Sequence, residues 1–294
     1  MADLALLVLT LFWGTTFTVV KEALEIASPG VFLAARFATA AAVLGAVALW
    51  RRDPTGPSFA RHGALLGLFM LAGFVLQTLG LRLTTPARSG FLTGLAVLAV
   101  PFLGKLLFGR TVRLASWIGV ALAVGGLALL TRPFAEDISA GVRLGDLLTA
   151  GCAVAFALQI VYTSEWSSRH PLVPFTLAQV AVTFAGALLL AGFEQRAFDP
   201  TRAPALAGAV AFTGVFMTAG AFFVMNWGQR HTTAIRAALI FALEPVTAAL
   251  FSHYVGGEPL GPWDWAGGAL IVLAVIAGEI GGALEGRGAV VEPA

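Results

Sequence analysis

The chain has 294 residues and a formal net charge of +2, with 58% of its residues hydrophobic and only 12% charged; its mean hydropathy is +0.87. A soluble domain carries about a quarter charged residues, so too little polar surface is present to coat one, and lipid is the expected solvent. The few charges are scattered, with no basic run and no aromatic–basic interleaving, so no nucleic-acid partner is expected; the single cysteine, Cys152, leaves no intrachain disulfide or cysteine-ligated zinc site and, in its apolar run, reads as an inert buried thiol.

A hydrocarbon core about 30 Å thick asks for about 20 mostly apolar residues per helix. Ten such stretches follow one another: 3–21, 29–50, 63–82, 86–107, 114–131, 146–164, 173–192, 205–227, 233–254 and 263–282. The first carries Asp3 where a signal peptide would be positive, and Phe12-Trp13-Gly14 where a cleavage site would lie, so it is expected to remain as a spanning helix. Polar turns separate the stretches: Arg51 through Pro57, Arg132-Pro133, Arg169-His170-Pro171 and Asp199-Pro200. Trp50, Trp117, Trp166, Trp263 and Trp265 fall near span ends, as interfacial belts require. Continuous apolar runs exclude an outer-membrane barrel. Residues 283–294 are expected to form a disordered tail.

The chain also repeats itself. Residues 77–90 read QTLGLRLTTPARSG and residues 225–238 read MNWGQRHTTAIRAA, so a shift of 148 lays Gly80, Arg82, Thr84, Thr85 and Arg88 on Gly228, Arg230, Thr232, Thr233 and Arg236. The same shift lays Trp117 on Trp265, and a shift of 143 lays Trp13 on Phe156 and Arg36 on Gln179. The expected fold is therefore an all-α integral membrane protein of ten transmembrane helices, built as two five-helix repeats over 1–140 and 141–282. An odd number of spans per repeat inverts the second relative to the first, and inverted repeats are the signature of secondary transporters. Lysines and arginines divide almost evenly between the two faces, with a slight excess that sets both termini in the cytoplasm.

Four local patterns, in this order, resemble the EamA family of the drug/metabolite transporter superfamily. They are Phe12-Trp13-Gly14 followed by Phe17; Ala35-Arg36-Phe37; Gly90-Phe91-Leu92-Thr93 leading to Val100-Pro101; and Leu243-Glu244-Pro245-Val246 followed by Gly256-Gly257-Glu258-Pro259-Leu260. The resemblance spans nearly the whole chain. It implies export or exchange of small metabolites, often amino acids, by alternating access through a central cavity. One departure is that Arg110 stands in the first repeat where Glu258 stands in the second.

Glu244 lies about halfway along the ninth stretch, where an ionised carboxylate is costly and is usually functional. It reads either as a proton-coupling or substrate-contacting group, or as a protonated structural hydrogen bonder. Pro245 and Pro101 are expected to kink their helices. Arg36 and Glu258, both placed toward the outer side, read as a gate pair, a static ion pair, or, for Arg36, a side chain that snorkels to the interface. Lys105 and His253 are expected to snorkel. Gln77, Gln159, Gln179 and Asn226 bond across helices by default, with Gln77 and Asn226 nearly equivalent in the two repeats. Trp13, Thr16 and Phe17 share one helix face, as do Phe156, Gln159 and Thr163; with Trp227 and Phe241 they are candidate cavity walls, against the default of lipid contact or packing. Gly63 and Gly67 form a GxxxG that 34 glycines produce by composition alone.

No HExxH, GxSxG, GxxxxGK[ST] or strand-borne GxGxxG is present, so neither an enzyme nor an ATP-driven pump is expected, and no cofactor or metal. The expectation is a secondary transporter of the bacterial inner membrane, exporting a small amphipathic metabolite such as an amino acid. The alternatives are a sugar-phosphate or nucleotide-sugar exchanger, which needs two or more cations on a midplane cavity where the spans offer only Arg36 and Lys105, and a non-transporting membrane protein. The expected partners are the small solute, the bilayer, and a second copy meeting the Gly- and Ala-rich fifth and tenth spans.

Overall fold

The computed structural model describes residues 1–84, 86–112, 114–131, 140–194, 198–256 and 259–288, and every described element is helical apart from an isolated bridge between Ala27 and Phe198. Eight helical segments are long and apolar enough to cross a membrane, and two shorter apolar helices, Leu114–Leu130 and Pro262–Ala277, stand at the fifth and tenth positions. The protein is a multi-pass membrane protein with two inverted five-helix repeats. Odd-numbered spans leave the face that bears the N-terminus, and even-numbered spans return to it.

Several spans are broken, and the breaks have local causes. The first consists of Ala2–Gly14 and Thr16–Ile26. At the join, the Thr15 hydroxyl donates to the Phe12 carbonyl and the Thr16 hydroxyl to that of Trp13, both at 2.7 Å, a back-bonding that bends helices. The second span, Pro29–Arg51, opens on a proline whose missing N–H costs nothing at that position and closes on Arg52 with φ 51°. The third, Phe59–Leu83, the sixth, Ala140–Trp166, and the seventh, Leu172–Phe193, are continuous. The fifth runs over Leu114–Thr131, and the tenth over Pro262–Gly288, past its expected end.

The ninth span divides into Ala234–Phe241 and Glu244–Gly256. Pro245 cannot donate to the Phe241 carbonyl, and the chain turns at Ala242–Leu243, where the Leu243 N–H reaches back only three residues to Ile240. The fourth divides into Pro86–Gly94 and Ala96–Phe108 around Leu95. Pro101 lies inside the second of these helices, and the break itself falls upstream at Leu95, where the Leu98 N–H bonds to the Leu95 carbonyl in a tightened turn. Leu95 and Leu243 are 148 positions apart, so the two repeats break at the same place although only the second has a proline there.

The eighth span passes from Ala203–Ala211 through a π-helix, Phe212–Gly220, into Ala221–Gly228. The Thr218 hydroxyl donates to the carbonyl of Thr213, five residues back, at 2.8 Å. Such widened turns concentrate at functional sites.

Small residues set the closest seams. A Cβ on Gly67 would stand 2.7 Å from the Gln179 carbonyl, and one on Gly63 would stand 2.6 Å from the Ala178 Cβ, so this GxxxG, read from composition as accidental, is what seats the third span on the seventh. Gly126 and Gly267 bring the fifth and tenth spans backbone to backbone. Ile271 is fully buried at this seam, against Gly126.

Candidate functional site

A cavity lies between spans one, two, three, four, six, eight and nine. Its walls follow the internal repeat. Trp13 and Phe156, Thr16 and Gln159, Phe17 and Ile160 are pairs related by the shift of 143, and all six line it. Phe74 and Phe222, Gln77 and Met225, Thr93 and Phe241, Ala96 and Glu244 are pairs related by the shift of 148, and all eight line it too. The Phe74 and Phe222 rings touch across the pseudo-axis, with centroids 5.9 Å apart. Phe156 packs edge-on against Phe74 at 5.4 Å, and Trp13 leans on Phe222 and Phe241 at 5.8 and 5.5 Å. The result is a rigid aromatic wall.

Charge breaks this symmetry. Of the charged side chains among the described residues, only Arg36 and Glu244 line the cavity. Their repeat partners are Gln179 and Ala96. Arg36 is held from three sides. Its Nε donates to Thr218 Oγ1 at 2.8 Å, its Nη2 to the Met217 carbonyl at 3.4 Å, and its guanidinium lies 4.7 Å from the Phe74 ring centroid. Planar stacking with a charge-assisted bond is what guanidinium does better than ammonium. The Met217 carbonyl also accepts from Trp13 Nε1 at 3.3 Å, so the π-helix anchors both the cation and the largest aromatic of the cavity.

Glu244 is the first residue of the second half of the ninth span, so the positive end of a helix dipole lies behind its carboxylate. Its carboxylate makes no hydrogen bond or ion pair with a described residue, and none within 4 Å with Arg36, although the two groups interact electrostatically through space. The two charges therefore stand apart in one cavity.

The expected site residues divide clearly. Trp13, Thr16, Phe17, Gln77, Phe156, Gln159 and Phe241 line the cavity with Glu244 and Arg36. Arg36 stands two turns into the second span, as its place in the 29–50 stretch predicts, and is buried on the cavity wall. Glu258, its expected gate partner, lies outside the described residues. Asn226 does not reach the cavity. It is one position beyond Met225, the true equivalent of Gln77, and one residue is 100° of helix, so it points instead to a fully buried chain in which it donates to Thr176 and accepts from Gln179. Trp227 lies on a lipid-side groove between the first and eighth spans with Phe12 and Phe216. Lys105 is exposed at its span end. Gln77 bonds to Thr93 at 3.2 Å, and Cys152 is fully buried behind Thr93.

Phe74, Phe222, Thr93 and Thr218 were missed. For Phe74 and Phe222 the repeat itself held the signal, since both are phenylalanine 148 positions apart. For Thr218 none existed, since it acts through a π-helix.

The comparisons with known proteins agree with this architecture. The EamA-like transporter family matches residues 1–132 and again 143–277, one match per repeat. An uncharacterized transporter of Archaeoglobus fulgidus is 32% identical over 94% of this chain and 84% of its own length. The uncharacterized inner membrane transporter YedA of Escherichia coli is 27% identical over 94% and 90%. A crystal structure of 22% identity superposes with a TM-score of 0.75 over 95% of this chain and 96% of its own, which shows a shared fold. The chain is thus a multi-pass membrane transporter and belongs to the EamA-like transporter family.

Proposed function

We propose that this protein is a secondary transporter of the inner membrane that exports small amphipathic zwitterions, amino acids foremost, by alternating access around the central cavity. The observation that carries the reading is the cavity's charge pattern. One fixed cation and one carboxylate stand on separate walls of an otherwise aromatic, pseudo-symmetric chamber. A carboxylate solute group bonds to Arg36, an ammonium group pairs with Glu244, and an apolar side chain rests on Trp13, Phe74 and Phe156. A solute carrying both charges pairs with both walls, so neither cavity charge is left uncompensated, as one would be with an anion or cation alone. Glu244 also takes up a proton when the solute leaves, which couples the cycle to the proton gradient. A sugar-phosphate exchanger needs a second cation on the cavity, and among the described residues Arg36 is the only one.

The test is uptake into proteoliposomes of a mixed panel of labelled amino acids, sugar phosphates and nucleotide sugars. Saturable uptake confined to zwitterions supports the reading, and uptake confined to phosphorylated solutes overturns it.

A further inference from the structure

The repeated motif that first revealed the duplication has no place in the cavity. It forms the tips of two hairpins, one joining spans three and four, the other joining spans eight and nine. Because the repeats are inverted, the first tip lies on the face opposite the N-terminus and the second on the N-terminal face.

Each tip is tied down by the same contact. On the opposite face, Arg88 forms an ion pair with Asp146 near the start of the sixth span, and Thr84 Oγ1 donates to the same carboxylate at 3.0 Å. On the N-terminal face, Arg236 pairs with Asp3 at the start of the first span at 2.9 Å. Arg236 is Arg88 moved by 148, and Asp146 is Asp3 moved by 143, so the two ion pairs are copies under the repeat. The packing beneath them is copied too. Gly80 lies against Thr149, and Gly228 against Leu6, where an added Cβ would stand 2.4 and 2.7 Å from the neighbouring side chain. Backbone carbonyls supply a second tie on each face. Lys21 Nζ donates to the Leu81 and Thr84 carbonyls at 2.6 and 3.1 Å, and Arg230 Nη2 to the His170 carbonyl at 2.7 Å.

Each pair joins one repeat to the other at a membrane face, above or below the cavity. Arg236 and Asp3 are 25% and 33% exposed, so their ion pair contributes little net free energy and opens cheaply once water enters, whereas the more buried Arg88–Asp146 pair holds its seam more firmly. We propose that Arg88–Asp146 and Arg236–Asp3 are the two latches of the transport cycle, one per face, and that each must open for the cavity to face that side. The Arg88–Asp146 latch is the better shielded in this structure, with side chains 9% and 18% exposed against 25% and 33% for Arg236 and Asp3. This assignment rests on the transport reading for its purpose, but its measurement needs no solute.

The experiment is labelling of a Thr16→Cys reporter in the cavity, in a Cys152→Ala background, by a membrane-impermeant maleimide applied to intact cells or to inverted vesicles. Arg236→Gln is expected to raise the labelling rate about two- to fivefold from the N-terminal face alone, and Arg88→Gln from the opposite face alone by at least as much. The exchanged pairs, Asp3→Arg with Arg236→Asp and Arg88→Asp with Asp146→Arg, should return the rate to that of the reporter parent. Equal rises from both faces, an absence of any rise, or exchanged pairs that fail to restore the parent rate overturn the assignment. Face-selective labelling in a protein that transports no zwitterion would uphold the latches and remove the substrate reading; unchanged labelling beside intact transport would do the reverse.

Discussion

Arg36 and Glu244 face one cavity from the second and ninth spans, close enough to interact electrostatically and yet without an ion pair between them. The arginine is kept back by Thr218 and Met217 on the eighth span, and the glutamate by its place at the first residue of a half-helix. Two unlike charges in a low-dielectric bundle attract strongly, so their separation has to be enforced by other groups. The π-helix is what enforces it on the arginine side.

Replacing Arg36 therefore tests the anion half of the site. Arg36→Gln removes a charge-assisted contact worth about 1.5–3 kcal/mol, or roughly 10- to 150-fold in apparent affinity for a carboxylate solute. Arg36→Lys keeps the charge but cannot both bond Thr218 and stack on Phe74, so it should lose less, about tenfold. Concentration-dependent uptake in proteoliposomes reads both.

Glu244→Gln tests the coupling. With an inward proton gradient, wild-type uptake of the zwitterion should respond to the gradient, whereas the variant should retain exchange of preloaded solute and lose the response. Equal responses would make Glu244 a binding group only.

The seam between spans five and ten should be intolerant of added volume. Gly267→Ala places a methyl group 2.5–2.6 Å from the backbone of Leu130 and Gly126, and should cost about 1–3 kcal/mol, read as a lowered Tm in detergent. Gly125→Ala, where an added Cβ meets nothing within 4 Å, serves as the control and should leave Tm unchanged or slightly raised.

A pH dependence of stability should come from the N-terminal face. His62 Nδ1 and His170 Nε2 lie 2.9 Å apart, one donating and one accepting, and Trp166 stacks on His62. Burial, followed by the neighbouring His62, Arg169 and Arg230, holds the His170 imidazole below its ordinary value. The unfolded chain then binds the proton more readily than the folded one. The full stability is present above the ordinary histidine value, about 6.5, and declines as pH falls from there through the depressed folded value. Thermal unfolding from pH 8 to pH 5 should show this decline, and His170→Gln should flatten it.

The spans were legible because lipid demands apolar length, and ten apolar runs predict ten helices with little ambiguity. The inversion was legible from a polar motif, since polar residues in an apolar chain are constrained by contacts; those contacts are the Arg88–Asp146 and Arg236–Asp3 pairs. The break at Leu95 was not legible, because no proline stands beside it as Pro245 stands beside Leu243. The anchoring of Arg36 was not legible either, because its partner Thr218 lies within a π-helix that no local signal announces. Asn226 and Trp227 illustrate how one position of register turns a cavity wall into helix glue or a lipid contact.

If Arg36 and Glu244 each take one end of a zwitterion, transport of one labelled amino acid should be competed differently by the unlabelled amino acid, its carboxamide and its N-acetyl derivative in wild type, Arg36→Gln and Glu244→Gln. Only the intact zwitterion should compete well in wild type, the penalty for the carboxamide should disappear in Arg36→Gln, and the penalty for the N-acetyl derivative should disappear in Glu244→Gln. Penalties that persist unchanged in both variants would contradict that reading.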